Sequence, residues 1–397
     1  MRRIVQQLSL SHFTVTSPLG RGLDATLAAL RTRRSPLRPC DFETADLPTY
    51  IGVVDGLDAH PVGGALAAYD CRNNRLAQLA LDQDGFRDAV AEASARHGAA
   101  RIGVFAGTST AGIFETEQAF RHLDPATGAL PPDFPYRETH NTFSIADFVQ
   151  QALELEGPAV AISAACASTA MAFASAMRMI ACGLCDAAVV GGVDSLCLTT
   201  LYGFHALQLT AEEACRPFDE ARAGISIGEA GGFALLERDR GRSGIALLGY
   251  GESSDAYHMS SPHPEGQGAR RAMEKALAVA GLQPGDIDYV NLHGTATRVG
   301  DAAEDKAISG LFGSTVPCSS TKGFTGHTLG AAGIVEAVIS ALALQHGHIP
   351  ASPTTRKVDS GITCRYLTDG AERPLKRVMS NSFGFGGSNC SLILGQA

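Results

Sequence analysis

GPAVAISAACASTAMAFASAMRMIACG, Gly157 to Gly183, is the stretch that decides how this chain reads. It opens on a short apolar run, Ala159 to Ile162, passes through small residues to Cys166, and continues from Ser168 to Ala181 without period-two alternation. A buried strand turning into a long helix fits that pattern. The small side chains along the helix let neighbouring backbones approach closely, as a layered α/β architecture requires. Cys166 then sits at the positive end of a helix dipole, with free amides beside it. Such a setting lowers a thiol's pKa and predicts a thiolate. The Cys166 amide is also a candidate oxyanion donor. On this stretch alone a buried structural cysteine reads equally well.

Outward from that turn, Arg101–Ala106, Ala187–Val190, Tyr289–Leu292 and Val378–Ser382 are further short apolar runs ended by turn residues, and Gly268–Ala280 is a second helical stretch. Alternation of strands and helices predicts an α/β fold. The charged segment Glu237–Gly244 (ERDRGRSG) divides the chain into halves, 1–244 with the cysteine and 245–397 with the histidines described below. The chain has 397 residues, 45% of them hydrophobic, and a net charge of −9 from 32 basic and 41 acidic side chains. Its length allows a large core without disulfides or metals, and its acidity argues against a nucleic-acid footprint. The apolar region from Ala159 to Val193 is interrupted by Arg178 and Asp186, so no membrane span is expected. Met1 to Leu10 has no apolar core of a leader, which predicts a cytoplasmic protein whose ten cysteines are mostly reduced. Cys182 and Cys185 (CGLC) have redox or zinc spacing, but no second pair completes a site and they close a helix rather than open one, so they read as structural.

Three later segments carry the chemistry. Asn291–Asp301 (NLHGTATRVGD) brings His293 off a strand end into small hydroxyl residues; strand ends are where α/β sheets place reactive groups. Ser319–Glu336 (SSTKGFTGHTLGAAGIVE) places Lys322 and His327 around a glycine-bearing turn before a helix. Asn381–Leu392 (NSFGFGGSNCSL) has three glycines, Gly384, Gly386 and Gly387, that let amides approach a reacting carbonyl, with Phe385 as an apolar gate. A nucleophilic sulfur beside two neutral imidazoles suits the generation of a carbanion equivalent by decarboxylation and its delivery to a thioester.

The set CAS at Cys166, HGTAT at His293, KGFTGHTLGAAG at Lys322–Gly333 and NSFGFGGSN near the C-terminus resembles the β-ketoacyl-acyl-carrier-protein synthases of the KAS I/II type, from about Gly103 onward. The opening MRRIVQQLSLSHFTVTSPLG departs from the glycine-rich first strand of that family. The resemblance implies a duplicated thiolase fold, packed as a five-layered αβαβα sandwich. It implies that Cys166 takes an acyl chain from a carrier's phosphopantetheine thiol. His293 and His327 then assist loss of carbon dioxide from malonyl carrier protein, and the resulting carbanion attacks the Cys166 thioester. The amides of Cys166 and Phe385 would form the oxyanion hole, and Thr295 and Thr297 would contact pantetheine. Lys322 would hold the polar network, with Glu304 pairing with it or holding a loop or an ion. No resident cofactor and no metal are implied.

The partners implied are an acyl carrier protein and either a second copy of the chain or a chain-length-factor-like subunit. Arg72 and Arg75, with Arg121, are the candidate cations for docking an acidic carrier. CRNNR at Cys71–Arg75 further resembles ketosynthases of aryl-polyene clusters, and GTSTAG at Gly107–Gly112 suggests a more polar acyl pocket. The rival reading, a non-catalytic chain-length-factor-like subunit, has to explain why Cys166, His293 and His327 are all present. A Cys-His hydrolase leaves the second histidine and the lysine without a task.

Overall fold

The computed structural model describes residues 7–238 and 243–396. The dividing segment Glu237–Gly244 therefore lies partly outside the described residues, as does the start of the chain. Five strands build the first half: β1 (Leu8–Ser17), β2 (Ile102–Gly107), β3 (Ala159–Ile162), β4 (Ala187–Asp194) and β5 (Ala230–Glu237). Five more build the second: β6 (Ile245–Ser254), β7 (Tyr289–Asn291), β8 (Pro317–Ser319), β9 (Arg377–Gly384) and β10 (Ser388–Gln396).

From its outer edge inward the first half runs β3-β2-β4-β5-β1; the second repeats that order as β8-β7-β9-β10-β6, with the short strand Arg365–Tyr366 pairing outside β8 as its edge. Strand directions repeat as well. β2 is parallel to β3 and β4, and β7 is parallel to β8 and β9, while the remaining neighbours within each half are antiparallel. The two sheets join where Leu8 pairs with Leu247 and Ser9 with Ala246 across β1 and β6.

The helices that cover and separate the sheets are α1 (Arg72–Leu81), α2 (Phe86–His97), α3 (Ser144–Ala152), α4 (Ser168–Ala181), α5 (Gln267–Ala280), α6 (Arg298–Phe312) and α7 (Ala332–His346). α1, α2 and α3 cover the outer face of the first sheet, and α5 and α6 that of the second. α4 and α7 lie against each other between the two sheets, in the largest apolar core. This is the αβαβα sandwich of the thiolase fold. Its central layer accounts for the composition of α7: Ala332 to Leu344 are all buried, as a helix enclosed on every side must be. The stretch Leu329–His346 is long and apolar enough to cross a membrane, and 89% of it is buried inside the protein as this core helix.

The expected strand Ala187–Val190 continues to Asp194, because β4 is covered on both faces and its eight residues are all buried. β1 is polar at alternate positions yet nearly wholly buried. It sits between β5 and β6 in the middle of the sheet, and two of its hydroxyls find buried backbone acceptors: Thr14 Oγ1 donates to Ala80 O at 3.0 Å and Ser11 Oγ to Leu235 O at 3.2 Å.

Candidate active site

Cys166 follows a sharp turn between β3 and α4. Ala165 has φ +48°, a left-handed backbone that a residue with a Cβ adopts only under constraint. The turn delivers the sulfur toward the second half, where His327 and Lys322 stand on the corresponding turn between β8 and α7, and His293 on the turn leaving β7. His327 Nε2 is 3.0 Å from Cys166 Sγ. One donor atom each of Cys166, His293 and His327 lies within 4.8 Å of the others. The two imidazoles meet edge to face, with centroids 5.3 Å apart, and the Phe383 ring closes the other side of His293 at 5.8 Å. Three turns and the end of β9 thus bring the sequence segments to one point.

Lys322 is buried, and its Nζ stands 3.5 Å from His293 Nδ1 and pairs with Glu336 Oε1. An ammonium has only protons to offer, so Nδ1 is the acceptor and the His293 proton resides on Nε2. Glu304 does not pair with Lys322. Its two oxygens accept from the amides of His293 and Gly294 at 2.8 Å each, which holds the histidine turn, the second of the expected alternatives. Glu336 was not singled out in the sequence, although it had a signal: it is the one charged residue in the buried apolar face of α7, fourteen positions after Lys322.

Charge states follow from burial. Burial, the Lys322 charge and His327 hold His293 well below the usual imidazole range, and burial and Lys322 do the same for His327. Both rings are therefore neutral at pH 7. Burial pushes the Cys166 thiol up to about 12, against the opposing pull of Lys322 and of the Phe385 amide. The expectation of a standing thiolate is corrected by this: the dipole of α4 does not offset the removal of the sulfur from water. The resting site is a thiol facing a neutral imidazole, with His327 Nε2 within 3.0 Å of the sulfur. The same three ligand atoms could hold a soft metal ion, which would occupy the sulfur that the chemistry needs.

Phe385 follows β9, with its backbone amide near enough to the sulfur to favour its charged form and its ring against Phe204 at 5.6 Å. Only glycine fits at Gly384: a Cβ there would lie 2.9 Å from Ala164 O and 3.2 Å from Cys166 N. A cavity of about 460 Å³ leads to the sulfur, lined among others by Phe204, Thr295, Thr297, Arg298 and Phe385. Thr295 and Thr297 share a hydroxyl contact of 3.0 Å, and Thr297 Oγ1 also accepts from Gly300 N to cap α6.

Two expectations fail. Arg72 is not a docking cation: its guanidinium is buried and grips Glu229 through two bonds of 2.9 and 2.6 Å. That pair lets Glu229 accept the amides of Val54 and Leu196. Arg75 is half-buried and bonds both oxygens of the half-buried Asp70, at 2.7 Å each. The hydroxyls of Gly107–Gly112 do not make a polar pocket either, because Thr108 and Thr110 turn them onto the buried carboxylate of Asp194.

A model of the beta-ketoacyl synthase N-terminal domain matches residues 74–241, and one of the C-terminal domain matches residues 245–356. The chain is 42% identical to a mitochondrial 3-oxoacyl-[acyl-carrier-protein] synthase of Arabidopsis thaliana over 60% of its own length and 56% of that protein. It is 35% identical to 3-oxoacyl-[acyl-carrier-protein] synthase 2 of Staphylococcus aureus, over 81% of this chain and 84% of the relative. Among solved structures, the ketosynthase ApeO in complex with its chain length factor ApeC from Xenorhabdus doucetiae superimposes over 100% of both chains with a TM-score of 0.90 and 40% identity. Both family domains matched in order, on a thiolase fold whose sulfur and imidazoles meet in one cavity, mean that this chain belongs to the beta-ketoacyl synthase family of acyltransferases.

Proposed function

We propose that the chain condenses an acyl group held on Cys166 with the two-carbon unit released from malonyl carrier protein, giving a 3-ketoacyl carrier protein. The observation that carries this reading is the 3.0 Å contact between Sγ and His327 Nε2, with His293 on the same cavity.

In the first stage Sγ attacks the acyl-carrier thioester and its proton passes to His327 Nε2. The carbonyl oxygen takes its negative charge toward the amides of Cys166 and Phe385. The carbon–sulfur bond to the carrier breaks, and the departing thiolate recovers the proton from His327. In the second stage malonyl thioester enters. Its carboxylate leaves as carbon dioxide, and the electron pair of the broken bond moves into an enolate whose oxygen accepts from His293 Nε2–H. His327 Nδ1 has no partner among the described residues, so the protein does not hold that ring to one tautomer, and its Nε2–H is available to the same oxygen. The enolate carbon attacks the Cys166 thioester, a carbon–carbon bond forms, the carbon–sulfur bond breaks, and the sulfur takes a proton from solvent through His327. No resident cofactor or metal is required. Thr295 and Thr297 line the way in, where hydroxyls can donate to the carbonyls of a pantetheine arm.

We assign the chain to the cytoplasm and to two functional halves, 1–244 and 245–397, and its partner to a chain-length-factor-like subunit rather than a second copy. The 40% identity across the whole ApeO chain supports that partner and the aryl-polyene branch. The sheet edge at β3, an apolar strand with one neighbour among the described residues that leads directly into the Cys166 turn, is a surface that a subunit of either kind could extend. Mass spectrometry of the purified chain tests the reading. An acyl adduct on Cys166 that is consumed on adding malonyl carrier protein, with a ketoacyl product, is expected. Release of free acid would instead mean hydrolysis, and absence of any adduct would mean a non-catalytic subunit.

A further inference from the structure

Asp194 ends β4, is fully buried, and has no part in the reaction as written above. Its Oδ1 accepts from Thr108 Oγ1 at 2.8 Å, from Ser109 N at 2.7 Å, and from the amide and hydroxyl of Thr110 at 2.8 Å each. These donors all stand on the turn that leaves β2. Its Oδ2 accepts from the amide of Gly330, which lies on the turn into α7, three residues after His327. One oxygen thus holds the first half and the other holds the second.

Both of these turns touch the nucleophile's surroundings. Ser109 Oγ donates to Ala165 O at 3.2 Å, and Ala165 is the left-handed residue directly before Cys166. Gly330 O accepts from Thr169 Oγ1 at 2.7 Å, on the first turn of α4. No side chain fits at Gly330, where a Cβ would lie 2.7 Å from both Asp194 Oδ2 and Ser109 Oγ. A buried carboxylate with this many donors is held in one place by strong, mutually dependent bonds.

We propose that Asp194 is a positioning residue which, by bonding the 108–110 turn through one oxygen and the Gly330 amide through the other, sets the distance between Cys166 Sγ and His327 Nε2. The inference rests on the Cys166–His327 pairing assigned above, and on neither the carrier nor the malonyl substrate. Asp194→Asn separates its two bonds. An asparagine oxygen can keep the first-half donors, while its NH₂ faces the Gly330 N–H and leaves donor against donor.

The test is the second-order rate of Cys166 alkylation by iodoacetamide, followed by intact mass and peptide mapping on the full chain. Alkylation forms the S–C bond, releases iodide, and needs the thiol proton to be taken up, so it reads the sulfur's coupling to His327. Asp194→Asn is expected to slow it about tenfold to a hundredfold, the scale on which a small displacement of paired reactive groups acts. His327→Ala should slow it comparably, and the double variant should be no slower than His327→Ala alone, since both remove one contact. A role for the Asp194 charge alone has the opposite sign, because a negative neighbour opposes ionisation of the thiol and its removal would speed alkylation. Faster alkylation in Asp194→Asn, or losses that multiply in the double variant, would overturn the proposal.

If Asp194→Asn does not fold, Ser109→Ala keeps the Asp194 bonds to backbone and removes only the contact to Ala165 O. A two- to fivefold slowing, roughly the worth of one neutral hydrogen bond, is expected, and an unchanged rate would overturn the inference. Iodoacetamide needs no carrier. An alkylation pattern as expected without any ketoacyl product would therefore sink the condensation reading alone.

Discussion

In the first half the chain passes from β3 to α4 through residues 163–167 and presents a sulfur at the end of one strained residue, Ala165. In the second half the equivalent passage from β8 to α7 takes residues 320–331, folds a short helix at Lys322–Thr325, and presents an ammonium and an imidazole. The turns leaving β2 and β7 correspond in the same way. Each gives two consecutive amides to a buried carboxylate, Ser109 and Thr110 to Asp194 in the first half, His293 and Gly294 to Glu304 in the second. One strand order used twice thus brings two sets of strand-end turns face to face across the central helices. The fold fixes where these turns stand, and their length and side chains decide that one half supplies the nucleophile while the other handles protons.

Removing the first half's contribution is the largest perturbation. Cys166→Ala is expected to lower condensation by about 10⁴-fold or more, as loss of a covalent nucleophile does, with no acyl adduct in the intact mass. A variant that still condensed at a tenth of the wild-type rate would end the division of labour between the halves. His293→Ala tests the second half and should separate the stages. Decarboxylation of malonyl carrier protein is expected to fall by about 10²- to 10⁴-fold, while Cys166 still acquires its acyl group. Equal loss of both stages would show that the imidazole serves the sulfur and not the enolate.

Gly384→Ala intrudes on the place where the halves meet. A Cβ within 3.2 Å of the Cys166 amide should displace the oxyanion donors and reduce kcat by about 10- to 10²-fold with little change in KM; steady-state kinetics with both substrates reads this directly. The pH profile gives a smaller effect. With both imidazoles held below their usual range, they stay neutral as pH falls through 6.5, so the acid limb of kcat should lie below 6.5. Lys322→Met removes a positive neighbour from both rings and should move that limb upward; a limb that stayed in place would remove Lys322 from the network. Arg72→Met should leave the carrier's KM and its salt dependence alone. It is expected instead to destabilise the fold by about 3–5 kcal/mol, read as a drop in Tm, because Glu229 is left buried and unpaired.

Much of the site was legible in the sequence because its residues stand in short segments whose pattern is local. Ser168–Ala181 and Ala159–Ile162 match the observed helix and strand end for end, and Cys166, His293, Lys322 and His327 each flank a turn that small residues announce. The opening strand did not show, since Ser9, Ser11, Thr14 and Thr16 look like surface positions until β5 and β6 close over both edges, where backbone carbonyls take the hydroxyls of Ser9, Ser11 and Thr14. Arg72 and Arg75 misled for a related reason. An arginine reads as exposed charge in one dimension, and the acids that consume it, Glu229 and Asp70, lie at very different separations along the chain.

The sequence by itself determined which atoms could react: a thiol on a strand-to-helix turn, two imidazoles, an ammonium and a glycine-rich strand end, each a property of a few neighbouring residues. Only the tertiary structure decided their state. Burial, which depends on what packs from other parts of the chain, keeps the thiol protonated and the imidazoles neutral. Glu336, Glu304 and Asp194 acquire their work only when α7, α6 and β4 bring them to partners that local pattern does not reveal. Charge and distance within the site are sums over the whole fold, and no stretch of sequence carries them alone.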